Sequence, residues 1–479
     1  MDPAEFRRHG NALVEWIADY LATSERYPVL SRVSPGDVRR ALPSSAPEQG
    51  EAFDAIMRDF ERVIVPALTH WNHPGFFAYF ASSGSAPGVL AEFLSAALNQ
   101  QAMLWRTSPA ATELEEVSLG WLRQLLGLPA DFEGVIYDTA SISTLHALAA
   151  AREQAIPGVR THGLAGRRGI GGVRVYCSEH AHSSIDKAVA LLGLGLESLT
   201  RIPADEQFRM RSDALRDAID RDIADGLKPV AVVATVGTTS TTSADPVAAV
   251  VEICAARNVW LHVDAAYAGV AAMMPEHRAS FDGWQRADSI VVNPHKWLFV
   301  PVDLSAFYCR RMDVVRATFS LVPEFLRTPE SSRGARDLMD TGIQLGRRFR
   351  ALKLWMVLRH FGAEGIRERL AEHVRLARVF AGWVDTHPEF ERLAPVPFSV
   401  VCFRAKPAEL AEGDLDRFNE ELLEAVNATG EVFLSHTRLN GALVLRLAVG
   451  HAGTTEAHVA RAWELLIGET AVLNGESTL

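Results

Sequence analysis

The chain has 479 residues, of which 48% are hydrophobic and 22% charged, and its formal net charge is −11. This is the composition of a globular protein large enough for more than one domain, and the acidic balance, with no Lys/Arg-rich run, disfavours a nucleic-acid partner. No apolar run approaches the ~20 residues needed to cross a bilayer, and the four cysteines, Cys177, Cys254, Cys309 and Cys402, are too dispersed for a metal site. They read as reduced thiols. With no apolar secretory segment in "MDPAEFRRHG", a cytoplasmic protein without a membrane anchor or a metal is expected.

Residues 1–84 begin with a helical pattern, "EFRRHGNALVEWIADYLATSE", followed by a Pro/Ser-rich link. A second helical pattern, "EAFDAIMRDFERVIVPAL", leads into the aromatic segment "THWNHPGFFAYFASSGS". From 85 to 360, short Val/Ile-rich runs alternate with helical stretches: "GVIYD", "VRVYCS", "PVAVVATVG", "VWLHVDAAY", "SIVVN" and "SAFYC". That alternation predicts an α/β domain whose mostly parallel sheet is covered on both faces. A long helix is expected over "LGRRFRALKLWMVLRHFG". Residues 361–479 then read as a small α+β domain with strands "SVVCFRA", "EVFLSH" and "ALVLRLAVG".

Ligands of open α/β sheets sit beyond the carboxyl ends of the strands, and polar residues gather there. Thr139, Ala140 and Ser141 follow "GVIYD"; Ser178, His180 and His182 end or follow "VRVYC"; Thr238 and Thr239 follow "AVVATVG"; Asp264 ends "VWLHVD"; Lys296 follows "SIVV". Each has an ordinary structural reading beside the functional one. Thr139 and Ser141 suit a helix cap as well as a phosphate at a helix N-terminus, and Asp245 before Pro246 reads mainly as an N-cap. A lone His182 is more often a satisfied polar histidine, and the threonines are ordinary turn residues. Asp264 and Lys296 resist that reading, because a charge in apolar surroundings is costly unless it is paired, neutralised or covalently used.

One chemistry uses all of these parts. Pyridoxal phosphate needs a lysine for imine formation, a carboxylate to keep its ring nitrogen protonated, small residues at a helix N-terminus for its phosphate, and a flat group to stack on its ring. Lys296, Asp264, the "TAS" turn and His182 can fill those roles. Burial also lowers a lysine pKa, which favours the nucleophilic amine.

The sequence resembles the group II pyridoxal-phosphate decarboxylases, specifically the aromatic L-amino-acid decarboxylase family. The likeness runs nearly end to end, through "THWNHPGFFAYF", "SPAATELE", "AHSSIDKA", "VATVGTTS", "WLHVDAAYAG", "NPHKWL" and "LGRRFRALKLW". It implies the fold-type-I, aminotransferase-like architecture, decarboxylation of an aromatic L-amino acid to the amine and CO2, and a homodimer with shared active sites in which residues 1–84 wrap the partner. By the resemblance Lys296 carries the cofactor, Asp264 pairs with its ring nitrogen, and His182 stacks on the ring. Ala140, Ser141, Asn293 and His295 surround the phosphate, with Thr239 nearby. Trp71, Tyr79, Phe80 and Ser82 line the substrate pocket, Gln101 and Met103 enter from the partner subunit, and Arg446 lies near the substrate end. For Arg446, an ion-paired strand-edge arginine is an equal reading.

Three departures from the family stand out. The loop tyrosine that supplies a proton in the family is replaced by Phe325, 29 residues after Lys296 in "SLVPEFLRTPESSRGARD". Phenylalanine has no proton to donate, so either another group protonates the product carbon or oxygen intercepts the reaction and an aromatic acetaldehyde forms. Asp138 stands where glycine is usual and is expected to point away from the phosphate. Ala81, Ser82, Gln101 and Met103 are smaller or more polar than their counterparts in the animal DOPA enzymes. Transamination and a non-catalytic cofactor-binding protein are the rival readings; "NPHKW" and the intact Lys296, Asp264 and His182 weigh against both.

Overall fold

The computed structural model describes residues 1–166, 171–321, 329–330 and 334–475. They cluster into two compact units. One comprises Met1–Ala81, Arg375–Leu393 and Val401–Leu479, the other Ser82–Val374 and Ala394–Val400.

The second unit holds a seven-stranded sheet: β1 (Glu133–Tyr137), β2 (Val173–Ser178), β3 (Leu199–Ile202), β4 (Lys228–Thr235), β5 (Trp260–Asp264), β6 (Ser289–Val292) and β7 (Ser305–Cys309), in the order β1-β7-β6-β5-β4-β2-β3. The pairs from β3 through β6 are parallel, and β7 is antiparallel to both its neighbours, β6 and β1. Six strands therefore point the same way, and the carboxyl ends of β1, β2, β4, β5 and β6 share one edge of the sheet. β5, β6 and β7 are buried along their whole length, as expected of strands with helices on both faces. β3 was not anticipated: "LTRI" is four residues long and only its last is buried, so it carries no run to read. The reversal of β7 was also invisible, because "SAFYC" is apolar throughout and has no directional signature.

The first unit contains the helix Pro3–Ala22, opened by Asp2, whose carboxylate accepts from the N–H groups of Ala4 and Glu5 in a capping box. It also contains a four-stranded sheet, ordered β10-β11-β9-β8, from β8 (Phe390–Arg392), β9 (Val400–Ala405), β10 (Ser435–Leu439) and β11 (Ala442–Ala448). The strand expected at "EVFLSH" is displaced to Ser435–Leu439. Asn440 (φ 52°) and Gly441 (φ 88°) make the two-residue turn into β11, and an Asn-Gly turn fixes hairpin register more strongly than the flanking apolar residues do.

The helix expected to start at Leu345 instead starts at Ala351 and runs to Thr386, interrupted at Gly362 (φ 63°, ψ 172°). "LGRRFR" lies outside any helix or strand, and its groups bond to Gln101, Glu115 and Ile136. Asp245 is a second correction. Its carboxylate does not cap the following helix. It accepts from the N–H groups of Thr235 (2.8 Å) and Met210 (2.7 Å), tying the end of β4 to another turn. Burial raises its pKa from the ordinary 3.8 to about 6, against the pull of those two N–H groups.

Asp245→Ala should cost about 2–5 kcal/mol, because two buried N–H groups lose their acceptor. A carboxyl whose folded pKa is raised contributes stability that is complete below its unfolded pKa and lost as pH rises through the folded value. The stability advantage of the wild type over Asp245→Asn should therefore shrink as pH rises from below 3.8 past about 6, as denaturant titrations at several pH values would read.

Candidate active site

The shared edge of the large sheet gathers the predicted residues. β5 delivers Asp264, 5% exposed, with its Oδ1 accepting the Ala266 N–H at 3.1 Å. Beside it β6 ends at Val292, and the next residues turn into the short helix Pro294–Trp297, which carries Lys296. The lysine's surroundings are pinned. Trp297 is fully buried, stacks on Tyr267 with ring centroids 4.9 Å apart, and donates its indole N–H to His373 Nδ1 at 2.9 Å. The backbone N–H of Asn293 reaches Ala266 O at 2.9 Å, locking the lysine turn to the residues after Asp264.

Burial lowers the pKa of Lys296, and the negative charge of Asp264 opposes that effect without cancelling it. Desolvation thus outweighs the attraction, and the amine is biased toward its neutral, nucleophilic form. His182 feels both partners. Burial lowers its pKa first, Asp264 pulls it up, and Lys296 pushes it down again. These mutual influences bring Lys296, Asp264 and His182 into one electrostatic group. The Nδ1 of His182 accepts from the Ser184 N–H at 3.1 Å, so the neutral ring carries its proton on Nε2. The His182 side chain is exposed.

After β1 the chain turns at Asp138 and Thr139 into the helix Ala140–Ala155. As its first two residues, Ala140 and Ser141 present N–H groups for which the helix has no acceptors. Asp138 spends its carboxylate on other donors: one oxygen accepts from the Thr139 N–H (2.6 Å), the other from Gln344 Nε2 (3.3 Å). Asn293 and His295 are both buried. His295 Nδ1 accepts the Leu304 N–H at 2.9 Å, and its Nε2 lies 3.3 Å from Asn293 Nδ2. Burial, with Lys296 nearby, lowers the His295 pKa to about 4. Asn293 Oδ1 is buried with no hydrogen-bond partner among the described residues. After β4, Gly237 holds φ 90°, and a Cβ there would lie 2.6 Å from that of Ala268. Thr238 spends its hydroxyl on Thr241 (3.0 Å) and the Ser243 N–H (3.1 Å), while Thr239 is exposed.

A nucleophilic amine, a buried carboxylate, an exposed flat ring and two bare helix N–H groups together suit an aromatic aldehyde that carries a phosphate and a ring nitrogen.

The substrate candidates fall into two groups. Trp71, Tyr79, Phe80 and Arg446 lie together in the first unit. Trp71 stacks on Phe76 (4.4 Å) and Tyr79 (6.0 Å), and the Arg446 guanidinium sits 5.5 Å from the Phe80 ring centre. The Ser435 hydroxyl joins them, accepting from Arg446 at 3.0 Å and from the Tyr79 N–H at 3.2 Å. In the second unit, Ser82 is half-buried. Gln101 Oε1 accepts the Arg347 N–H at 2.6 Å, and Met103 packs with Leu104 and Met339. Phe325 lies outside the described residues. The sequence reading missed Glu115, Arg347 and Gln344. Only Glu115 left a signal: it is a charged residue in the buried stripe of Ala111, Thr112, Ser118, Leu119 and Leu122 on the helix Pro109–Leu125.

Residues 35–406 match the family described as the pyridoxal-dependent decarboxylase conserved domain. The chain is 41% identical over 482 residues to a phenylacetaldehyde synthase from Arabidopsis thaliana, covering 99% of this chain and 97% of that protein. It is likewise 41% identical over 479 residues to tyrosine decarboxylase 3 from Petroselinum crispum, covering 97% and 92%. It is similar in structure to Oryza sativa TDC, crystallised with PLP and tryptamine, with a TM-score of 0.95, 38% identity and 99% of both chains covered.

If burial keeps Lys296 short of its full charge, its amine in the apoprotein should react with a small acylating reagent at lower pH than a free lysine. Peptide mapping after labelling across a pH series should give Lys296 a midpoint below the ordinary 10.5. A midpoint at or above that value would contradict the burial argument.

Proposed function

The chain belongs to the pyridoxal-dependent decarboxylase family, a carboxy-lyase family with pyridoxal 5'-phosphate as cofactor, and from that premise we propose that it removes CO2 from an aromatic L-amino acid to leave the amine. The observation that carries this reading is the electrostatic group of Lys296, Asp264 and His182 at the carboxyl ends of β2, β5 and β6. When bound, the cofactor draws off the electron pair left at Cα as CO2 departs.

The chain's own residues do the rest. Lys296 would supply the amine that holds the cofactor. Asp264 would supply the negative charge that keeps a proton on the ring nitrogen. Asn293, His295, Ala140 and Ser141 would hold the phosphate, with Thr239 near the cofactor. The exposed His182 ring would offer its flat face to the cofactor, with the Nε2 proton as the one it can give. Trp71, Tyr79 and Phe80, with Arg446 beside them, offer aromatic surface for an aromatic side chain, and Ser82, Gln101 and Met103 are further candidates for contact with the substrate.

A second reading is favoured by Phe325. Without a phenol at that position, proton delivery to Cα slows and oxygen can compete. The balanced outcome is amino acid, O2 and water giving the aromatic acetaldehyde, CO2, ammonia and H2O2. The equal identity to an aldehyde synthase and a decarboxylase supports neither outcome over the other. A difference of about 1.4 kcal/mol between the two barriers changes the product ratio tenfold.

The same proposal covers assembly. The helix Ala86–Leu98 exposes Leu90, Phe93, Leu94 and Leu98, spaced to share one face, and Gln101 and Met103 follow it directly. A second copy of the chain is the natural cover for such a face. The four cysteines are free and buried, which suits a reducing cytoplasm.

Incubating the holoenzyme with tryptophan, tyrosine, phenylalanine and DOPA, with and without oxygen, should release CO2 from at least one of them. Amine, aldehyde, ammonia and peroxide measured together give the outcome. Phe325→Tyr should raise the amine-to-aldehyde ratio by about tenfold or more, since general acid catalysis is commonly worth ~100-fold. A wild type that makes only amine in air, without peroxide, would remove the second reading; no CO2 from any aromatic substrate would remove the first. Light scattering should give a dimer mass, and Leu94→Glu should weaken association and activity together. A fully active monomer would contradict the assembly.

A further inference from the structure

β1 is an edge strand, yet its open side is not bare. The Ile136 N–H donates to Glu115 Oε1 at 2.8 Å, and the Ile136 carbonyl accepts from Arg347 Nη2 at 2.7 Å. The same guanidinium nitrogen lies 2.8 Å from Glu115 Oε1, and the two side chains are only 5% and 3% exposed. Arg336 Nη2 adds a bond to Gly134 O at 3.1 Å. Side chains thus occupy the positions a further strand would have filled. A buried ion pair seldom stabilises a fold more than an apolar pair of the same size, so stability alone is a weak reason for these two charges.

The reach of Arg347 suggests another. On one side it grips β1 two residues before Asp138, at the turn that presents Ala140 and Ser141. On the other, its Nη1 reaches Ala102 O at 3.3 Å, its N–H reaches Gln101 Oε1 at 2.6 Å, and its carbonyl accepts the Ala102 N–H at 2.9 Å. The segment leading to Arg347 follows the same line. Asp337 accepts the Trp105 N–H at 3.0 Å, Met339 N–H reaches Met103 O at 3.1 Å, the Tyr137 hydroxyl donates to Thr341 O, and Gln344 donates to Asp138 at 3.3 Å.

We propose that Glu115 and Arg347 are a positioning pair, which fixes the cofactor-phosphate turn after β1 against the pocket segment Gln101–Met103 through one rigid guanidinium. The inference rests on the cofactor reading of that turn. Five donors in a planar fork let Arg347 hold Glu115, Ile136 O and Ala102 O at once. A lysine keeps the charge but is a single point, so Arg347→Lys preserves the ion pair while releasing one side of the bridge.

The test is reconstitution of apoprotein with pyridoxal phosphate. Arg347→Lys should bind it about tenfold more weakly, a 1.4 kcal/mol loss. It should also change the visible circular dichroism of the bound cofactor and raise KM for the amino acid more than it lowers kcat. Arg348→Ala removes the neighbouring arginine, which is exposed and pairs with Glu92, and should leave all three readouts unchanged. If Arg347→Lys yields no folded protein, Glu115→Gln decides, since it keeps an acceptor for the Ile136 N–H but no ion pair. Affinity within about twofold of wild type, with unchanged dichroism and KM, would overturn the proposal whatever the fall in Tm. A wild-type apoprotein that takes up no pyridoxal phosphate would instead overturn the cofactor reading.

Discussion

The structure of this site depends on one costly arrangement: an amine withdrawn from water beside a single buried carboxylate. Burying a charge costs several kcal/mol even after relaxation, and here the attraction of Asp264 does not repay it, because the net effect on Lys296 is a lowered pKa. A fold selected for stability alone would place an apolar residue there. The cost makes sense as chemistry, since a neutral amine is the form that attacks an aldehyde. His182 and His295 respond to the same environment: desolvation and then the nearby lysine lower both pKa values, and at His182 the charge of Asp264 opposes them.

Everything around that arrangement serves to hold it still. Parallel strands bring their carboxyl ends to one edge, so residues from 138 to 296 in sequence meet without long excursions. β5 and β6 are adjacent and in register, Asp264 opposite Val291, so the carboxylate and the lysine turn are joined by backbone hydrogen bonds. Trp297 and Tyr267 close the apolar side. At the far edge, Glu115 and Arg347 terminate the sheet and connect it to loops that no strand reaches. The site is thus built on rigid elements, with loops attached by specific polar contacts.

Much of this was legible in the residues. Six strands of the large sheet and the polar groups after five of them follow from short Val/Ile runs ended by Asp264, Thr139 or Asn293, because buried parallel strands leave continuous apolar sequence. What was not legible is non-local. β3 and the displaced β10 are set by neighbours and by the Asn440–Gly441 turn, and the late helix start at Ala351 follows from backbone groups of Gly346 and Arg347 lying against Gln101. Asp245 read as a helix cap because sequence shows the residue next to it, not the Met210 and Thr235 N–H groups it serves. Gln101 and Met103 were assigned by likeness alone, and their bonds to Arg347 and Met339 left no trace in local pattern.

The central claim is that Lys296, and no other lysine, is the amine this site was built to desolvate. The most direct measurement is borohydride reduction of the purified holoenzyme, followed by proteolysis and mass spectrometry. The account predicts loss of the visible absorption band and a pyridoxyl group on the peptide containing "NPHKW", at Lys296, with no trapped adduct in Lys296→Ala. A reduced adduct on a different lysine, or one that survives in Lys296→Ala, would contradict it.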